Sequence, residues 1–394
     1  MTDHTSLSAR RTVAVVHPYL RWGGSEACAL WAIEALKKDY DVTLITGGGA
    51  DLIEKNRFYG TNIQPDEIHC EVISPALVFR KIRGFHAIRD FKLVRYCQKN
   101  ADRFDVMFSL YNSICFGKKG IQYILDPTFN SEWLNRIAGD PSGIKGFFYK
   151  DTPLRKLYLW IGDRLTGSSL EEIQGNLTIV DSDWTASAVK TFLGISAETV
   201  YPPVPQEFPQ TNWAEREDGF ICLGRINYEK RIGDIIVILE KVRALGRNIH
   251  LHIIGTIGDQ RYLQSLKPLI TKNKDWVFLN TNVSNQEKTQ LLVSHKYGIH
   301  GRANEPFGIA VAEMVRAGCL VWVPGGGGQV EIVAHADLTY SNIEEAAHKV
   351  NSVMMDEPRQ DMLRGHLKQR MLQFSTDRYA EGIRKTVERF IEEN

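Results

Sequence analysis

Short runs of aliphatic and β-branched residues recur along the chain. Between several of them lie longer stretches with apolar positions every three or four residues. "TVAVVH" (12–17), "DVTLIT" (41–46), "DVMFSL" (105–110), "IQYIL" (121–125) and "LTIV" (177–180) predict buried strands. "SEACALWAIEALKKD", after the first of them, predicts a helix. This alternation builds a parallel, doubly wound sheet, because parallel strands need helix-length crossovers. "YPPVPQEFPQTNW" (201–213) then places four prolines in a stretch that continues neither element, and it reads as a linker. The alternation restarts with "GFICLG" (219–224), "IHLHII" (249–254), "WVFL" (276–279), "YGIH" (297–300) and "CLVWV" (319–323). The fold class is therefore α/β, with one domain over 1–203 and a second over 204–377. The tail "RYAEGIRKTVERFIEEN" (378–394) reads as an amphipathic closing helix. Two such domains leave a cleft between them, and open α/β sheets bind ligands beyond the carboxyl ends of their strands.

Composition narrows the function classes. The chain has 394 residues, enough for two cores. Lys and Arg number 48 against 47 Asp and Glu, a net charge of +1, which gives no global argument for nucleic acid. The N-terminus lacks the apolar core of a signal peptide, and no window approaches the roughly 20 apolar residues of a membrane span. The six cysteines are scattered without a C-x-x-C pair, which predicts reduced thiols in a cytoplasmic protein. The eleven histidines show neither H-x-x-x-H nor H-E-x-x-H spacing, which argues against zinc.

The residues just after strands carry the chemistry. "GRANEPFG" follows the "YGIH" strand. Pro306 suits a first helical turn, where its missing N–H leaves nothing unpaired. The N–H groups of Phe307, Gly308 and Ile309 then face out of the helix end and offer a phosphate site, with Gly308 allowing close approach. Glu305 and Glu313 would lie about 12 Å apart along that helix, at 1.5 Å per residue. That span suits hydroxyls at the two ends of a nucleotide sugar. Helix capping alone accounts for Glu305 nearly as well, but not for Glu313 in an otherwise apolar helix. "CLGRINYEKR" (222–231) puts Arg225 and Lys230 in one loop after a strand, where cations can stabilise a leaving diphosphate. "HPYLRWGGSEACALW" (17–31) puts Gly23 and Gly24 at a helix start, where backbone can approach a ligand. The glycine runs 47–49 and 325–328 lack G-x-G-x-x-G spacing. In "VDSDWTASAV", Asp181-Ser182-Asp183 reads first as a helix cap and second as a metal-binding D-x-D.

"NEPFGIAVAE" resembles the E-x7-E signature of the family 4 retaining glycosyltransferases, and "GRINYEK" resembles their G-R-x4-K loop. "HPYLRWGGSEACALWAI", "QYILDP", "VDSDWTASAV", "VYPPV" and "GIHGRANEPFGI" are similar to the α-1,2-mannosyltransferase branch that extends dolichol-linked oligosaccharides. The resemblance implies a GT-B fold: two Rossmann-like domains facing a central cleft, with the final helix crossing back to the N-terminal one. It implies a retaining hexosyltransferase, with mannose the best guess, drawing on a nucleoside diphosphate sugar. Glu305 would contact the donor sugar, Glu313 the ribose, Arg225 and Lys230 the diphosphate, and Gly23 and Gly24 would face it. His17, Tyr111 and Asp126 are candidates on the acceptor side. The relatives carry His where this chain has Leu125, and "SLYNS" (109–113) lacks a His found in many of them.

No metal cofactor is expected, because helix N–H groups, Arg225 and Lys230 already neutralise a diphosphate. The expected acceptor is a glycan or lipid-linked glycan. A soluble small-molecule acceptor and a non-catalytic nucleotide- or glycan-binding relative are the alternatives. An oxidoreductase with two dinucleotide folds is disfavoured by the missing fingerprint. Two stretches mix basic and aromatic residues, "FRKIRGFHAIRDFKLVRYCQK" (79–99) and "GIKGFFYKDTPLRKLYLW" (143–160), and suggest peripheral contact with an anionic membrane.

Overall fold

The computed structural model describes residues 10–74, 90–126, 153–167, 169–204 and 207–394. The chain forms two compact units, one of residues 1–203 and 376–394 and one of residues 204–375. All strand pairs in both sheets are parallel.

The first unit contains β1 (Thr12–His17), β2 (Asp41–Thr46), β3 (His69–Val72), β4 (Val106–Ser109), β5 (Ile121–Ile124), β6 (Leu177–Val180) and β7 (Glu198–Thr199), in the order β3-β2-β1-β4-β5-β6-β7. In β1, Val13 to Val16 are fully buried, the continuous apolar run of a strand covered on both faces. Helix Gly24–Leu36 supplies Leu30 and Ile33 to one core, and helix Thr376–Glu393 supplies Tyr379, Ile383, Val387 and Phe390 to the same one. The Tyr379 hydroxyl donates to the Cys28 carbonyl at 2.7 Å. The last helix is thus part of the first unit's core, on an apolar stripe spaced three to four residues apart.

The second unit contains β8 (Glu217–Leu223), β9 (His250–Gly255), β10 (Val277–Thr281), β11 (His295–Ile299), β12 (Leu320–Pro324) and β13 (Thr339–Tyr340), in the order β10-β9-β8-β11-β12-β13. Each sheet reverses its strand order once, between β1 and β4 and between β8 and β11. Such a reversal parts the loops beyond the strand ends and opens a ligand site there.

Three strands were not predicted: β3, β7 and β13. Among the described residues, which include all six cysteines, no disulfide forms. No helix among the described residues is long and apolar enough to cross a membrane.

Of the basic and aromatic stretches, residues 79–89 (Arg80, Lys81, Arg83 and Arg89 among them) and 143–152 lie outside the described residues. The described remainder includes helix Phe91–Asn100, which turns Leu93 and Cys97 into a core and leaves Lys92 and Lys99 exposed. Arg95 donates to the Leu165 carbonyl at 2.7 Å, and Trp160 and Leu157 are exposed.

Candidate active site

The second unit's reversal point carries a charged cluster. β11 ends at Ile299, and the chain runs through His300, Arg302 and Glu305. β8 ends at Leu223, and its loop reaches Lys230 in a short 3-10 turn, Tyr228–Lys230. Gly301 lets the two loops touch, since a Cβ there would sit 2.6 Å from the Lys230 carbonyl oxygen. Lys230 Nζ then lies 2.6 Å from Glu305 Oε2, and His300 Nε2 lies 3.2 Å from the same oxygen. Arg302 Nη1 holds Glu305 Oε1 at 3.1 Å. Burial pushes the Glu305 carboxyl up, but Lys230, Arg302 and His300 outweigh it and hold its pKa well below the usual carboxylate range. Burial, aided by the charge of Lys230, lowers the pKa of His300. Neutral His300 therefore donates its Nε2 hydrogen to the carboxylate, and Glu305 carries fixed negative charge rather than a transferable proton.

The run 325–328 holds this loop from below. The Gly328 N–H donates to the Glu305 carbonyl at 2.8 Å. Gly327 has φ +89°, and a Cβ there would meet Glu305 backbone atoms at 2.6 and 2.7 Å. Buried Gln329 donates through Nε2 to the carbonyls of Arg302 and Gly326, at 2.8 and 3.0 Å. Glycine here serves close backbone approach, not a dinucleotide fingerprint.

The helix after Glu305 starts later than predicted. It spans Ile309–Arg316, and Gly308 precedes it at φ +100°. A left-handed residue cannot continue an α-helix, so Pro306 and Phe307 lie before it. Phe307 is buried, its ring 5.4 Å from Phe374. The Val311 N–H already bonds the Gly308 carbonyl at 2.8 Å. The predicted anion site at Phe307, Gly308 and Ile309 therefore contracts to the first residues of the helix, Ile309 and Ala310. The helical spacing from Glu305 to Glu313 holds only from Ile309 onward. Glu313 stands apart from Glu305 and pairs with Lys288 at 3.4 Å. Arg225 is exposed, and among the described residues it has no hydrogen bond or ion pair.

The first unit's reversal point is built differently. His17 ends β1, fully buried, its ring 5.4 Å edge-on to Tyr111. Burial lowers its pKa to about 4, against the opposing pull of Glu26 and the Tyr19 backbone. Asn112, at φ +60°, accepts the N–H groups of Leu125 and Asp126 at 3.2 and 3.1 Å, joining the loops after β4 and β5. The three candidates His17, Tyr111 and Asp126 thus gather at adjacent strand ends. Gly23 and Gly24 open helix Gly24–Leu36 as predicted, but the Gly23 N–H is taken by the Tyr59 hydroxyl at 2.8 Å. Ser182 caps helix Asp183–Leu193 by accepting the Thr185 N–H, and Asp183 Oδ1 accepts the Thr199 hydroxyl at 2.6 Å.

Sequence reasoning missed His300, Arg302 and Gln329. His300 closes the quoted "YGIH" stretch and Arg302 lies in the "GRANEPFG" loop that follows it. Gln329, 24 residues beyond Glu305, left no local signal.

The chain is similar to known glycosyltransferases. Residues 204–370 match the family described as glycosyl transferases group 1. The match lies within the second unit, residues 204–375. The chain is 25% identical over 241 residues to a GDP-Man:Man(3)GlcNAc(2)-PP-Dol alpha-1,2-mannosyltransferase of Dictyostelium discoideum, a match covering 54% of this chain and 47% of that one. The match thus spans about half the length of that relative. Among solved structures, Anabaena HepE with UDP-glucose is similar, with TM-score 0.67, 14% identity and coverage of 96% of this chain and 99% of HepE. A sucrose-phosphate synthase of Thermosynechococcus elongatus is similar with TM-score 0.72 and 12% identity, over 98% and 100% of the two chains. These neighbours place the chain in the GT-B fold, with two parallel-sheet α/β domains.

Proposed function

We propose that this chain is a glycosyltransferase that moves a hexose, mannose as the first candidate, from a nucleoside diphosphate sugar to a glycan or lipid-linked glycan, with retention at the anomeric carbon. The observation that carries the reading is the buried Glu305, ionised and held by Lys230, His300 and Arg302 at the reversal point of the second unit's sheet. A fixed carboxylate suits a sugar that gains oxocarbenium character as its bond to phosphate stretches. Lys230 has hydrogens beyond the one on Glu305, and exposed Arg225 shares its loop. The two cations would stabilise charge growing on the departing diphosphate. The N–H groups of Ile309 and Ala310 add to this at the helix start. Glu313 and Lys288 would bracket the ribose end.

Retention follows if the leaving phosphate oxygen takes the acceptor hydroxyl's proton on the face it vacates, so no separate base is required. Glu305, whose pKa lies well below the usual range, fits a supporting rather than a proton-accepting role. His17, Tyr111 and Asp126 would serve the acceptor. The Dictyostelium relative is named for GDP-mannose and a dolichol-linked acceptor, and HepE was solved with UDP-glucose. The first supports mannose and a lipid-linked glycan in cell-surface polysaccharide or glycolipid synthesis, and the second supports a nucleoside diphosphate donor. A cytoplasmic enzyme with peripheral membrane contact would meet such an acceptor.

Thermal shift with GDP-, UDP- and ADP-sugars identifies the donor, because a ligand that binds only the folded chain raises Tm. Proton NMR of the product then reads the anomeric configuration. A stabilising GDP-mannose and an α product are expected. No stabilisation by any nucleotide sugar overturns the donor assignment, and an inverted anomer overturns the mechanism. Turnover in EDTA tests the absence of a metal on the diphosphate, and its loss would return a metal role to Asp181 and Asp183.

A further inference from the structure

His250, His252 and His295 come together at the opposite end of the second unit's sheet. His250 begins β9 and His295 begins β11, with β8 between them. Gly219 of β8 lies beside His250 in register, and a Cβ there would sit 2.3 Å from His250 Nε2 and 2.6 Å from His295 Cδ2. The missing side chain lets two imidazoles from either side of β8 meet above it, 2.9 Å apart at Nε2. His252, two residues after His250 and so on the same face, sets its ring 4.8 Å from that of His295. Glu217, two residues before Gly219, reaches His250 Nε2 at 3.5 Å. The ligand atoms of the three histidines all lie within 4.8 Å of one another.

We infer that Glu217, His250, His252 and His295 form a structural zinc site. The outer hydrogen bonds are those of metal-binding histidines. His295 Nδ1 lies 2.7 Å from the Leu291 carbonyl, which can only accept, so Nδ1 carries the hydrogen and Nε2 offers its lone pair. His252 Nδ1 lies 2.9 Å from Asn280 Oδ1, which frees its Nε2 in the same way. A tetrahedron with Zn–N near 2.0–2.1 Å needs nitrogens roughly 3.3 Å apart. That value falls between the closest pair and the widest separation, so side-chain rotation suffices to close the set. Three imidazoles and one carboxylate favour a borderline metal over the oxygen-seeking Mg²⁺ or Ca²⁺. With four protein ligands the site is closed, as in structural rather than catalytic zinc sites. Bound zinc would join β8, β9 and β11 where these strands begin. Glu305 follows the far end of β11, so the site is separate from the proposed chemistry.

The test uses untagged protein stripped with EDTA and exchanged into buffer. Equilibrium dialysis against ZnCl₂, read by elemental analysis, is expected to give one zinc per chain. At a hundredfold excess over Kd, Tm should rise by roughly 5 °C or more. Co²⁺ in place of zinc should give the strong visible bands of a tetrahedral site. His252→Asn should abolish binding, and Glu217→Gln should weaken it about tenfold or more. His335 and His366 lie with ring centroids 5.4 Å apart elsewhere in the unit, so His366→Asn is the control and should bind normally. Less than a tenth of a zinc per wild-type chain overturns the inference. So does undiminished binding in His252→Asn, or a weak octahedral Co²⁺ spectrum.

Discussion

The two reversal points share a topology and differ in charge. Beyond β8 and β11 stand Lys230, Arg302 and Glu305, with Arg225 exposed beside them. Beyond β1 and β4 stand buried, neutral His17 and the Tyr111 ring, with Asn112 tying their loop to the next. Strand order supplies a place where loops part, and the loop residues decide what the place recognises. The second unit's loops suit a polyanion. The first unit's offer His17, Tyr111 and the acidic Asp126, with Glu26 acting on His17, groups that can hydrogen-bond hydroxyls.

The sharpest way to break this contrast is to neutralise the charged point. Glu305→Gln should lower kcat by 10²–10³-fold, and Lys230→Ala should lower kcat/KM by a similar factor, from about 2–4 kcal/mol of lost transition-state stabilisation. Near-wild-type kinetics in folded Glu305→Gln would remove Glu305 from the site.

The buried histidine of the first point should show itself in stability against pH. His17 has a folded pKa of about 4, below the ordinary 6.5. The unfolded chain therefore binds the proton first, and stability is lost as pH falls from 6.5 to about 4. The loss is about 3 kcal/mol, at 1.36 kcal/mol per unit. Urea melts of His17→Gln should lose that much less than wild type over the same range. Parallel curves would mean that His17 is protonated in the fold.

The support beneath Glu305 can be loosened without touching its carboxylate. Gly327→Ala forces a side chain into a left-handed position and against Glu305 backbone, at a cost of about 1–3 kcal/mol. Lower Tm together with lower kcat is expected, and a change in Tm alone would uncouple the glycine loop from catalysis. The smallest effect concerns the surface. Lys92→Ala and Lys99→Ala should each weaken sedimentation with anionic vesicles at low salt by about 1 kcal/mol, or roughly fivefold. If wild type stays in the supernatant, a soluble acceptor becomes the leading candidate.

The central strands were legible because a strand covered on both faces must be apolar throughout, as Val13 to Val16 are. The edge strands were not. β3 reads "HCEV" and β7 is Glu198–Thr199, short and partly exposed, with little hydrophobic pattern to detect. Glu305 and Lys230 stand out as candidates in the sequence because their loops follow recognisable strands. The helix start was misplaced because Pro306 signals a first turn, while the left-handed conformation of Gly308 depends on neighbours that sequence does not display. Spacing rules for zinc assume ligands on one local element. His250 and His295 are brought together only by pairing to opposite edges of β8, so those rules could not see them.

Tyr379 reaches back to Cys28 across nearly the whole length of the chain, and its helix fills the first unit's core. The first unit is therefore finished by residues synthesised after the whole of the second unit. The second unit is one uninterrupted segment, with every strand in hand before helix Thr376–Glu393 is synthesised. On a growing chain the second unit can close its sheet first, while the apolar face around Leu30 and Ile33 waits for its cover. A ribosome that stops short of residue 376 would release a molecule whose second unit is complete and whose first unit carries an open core.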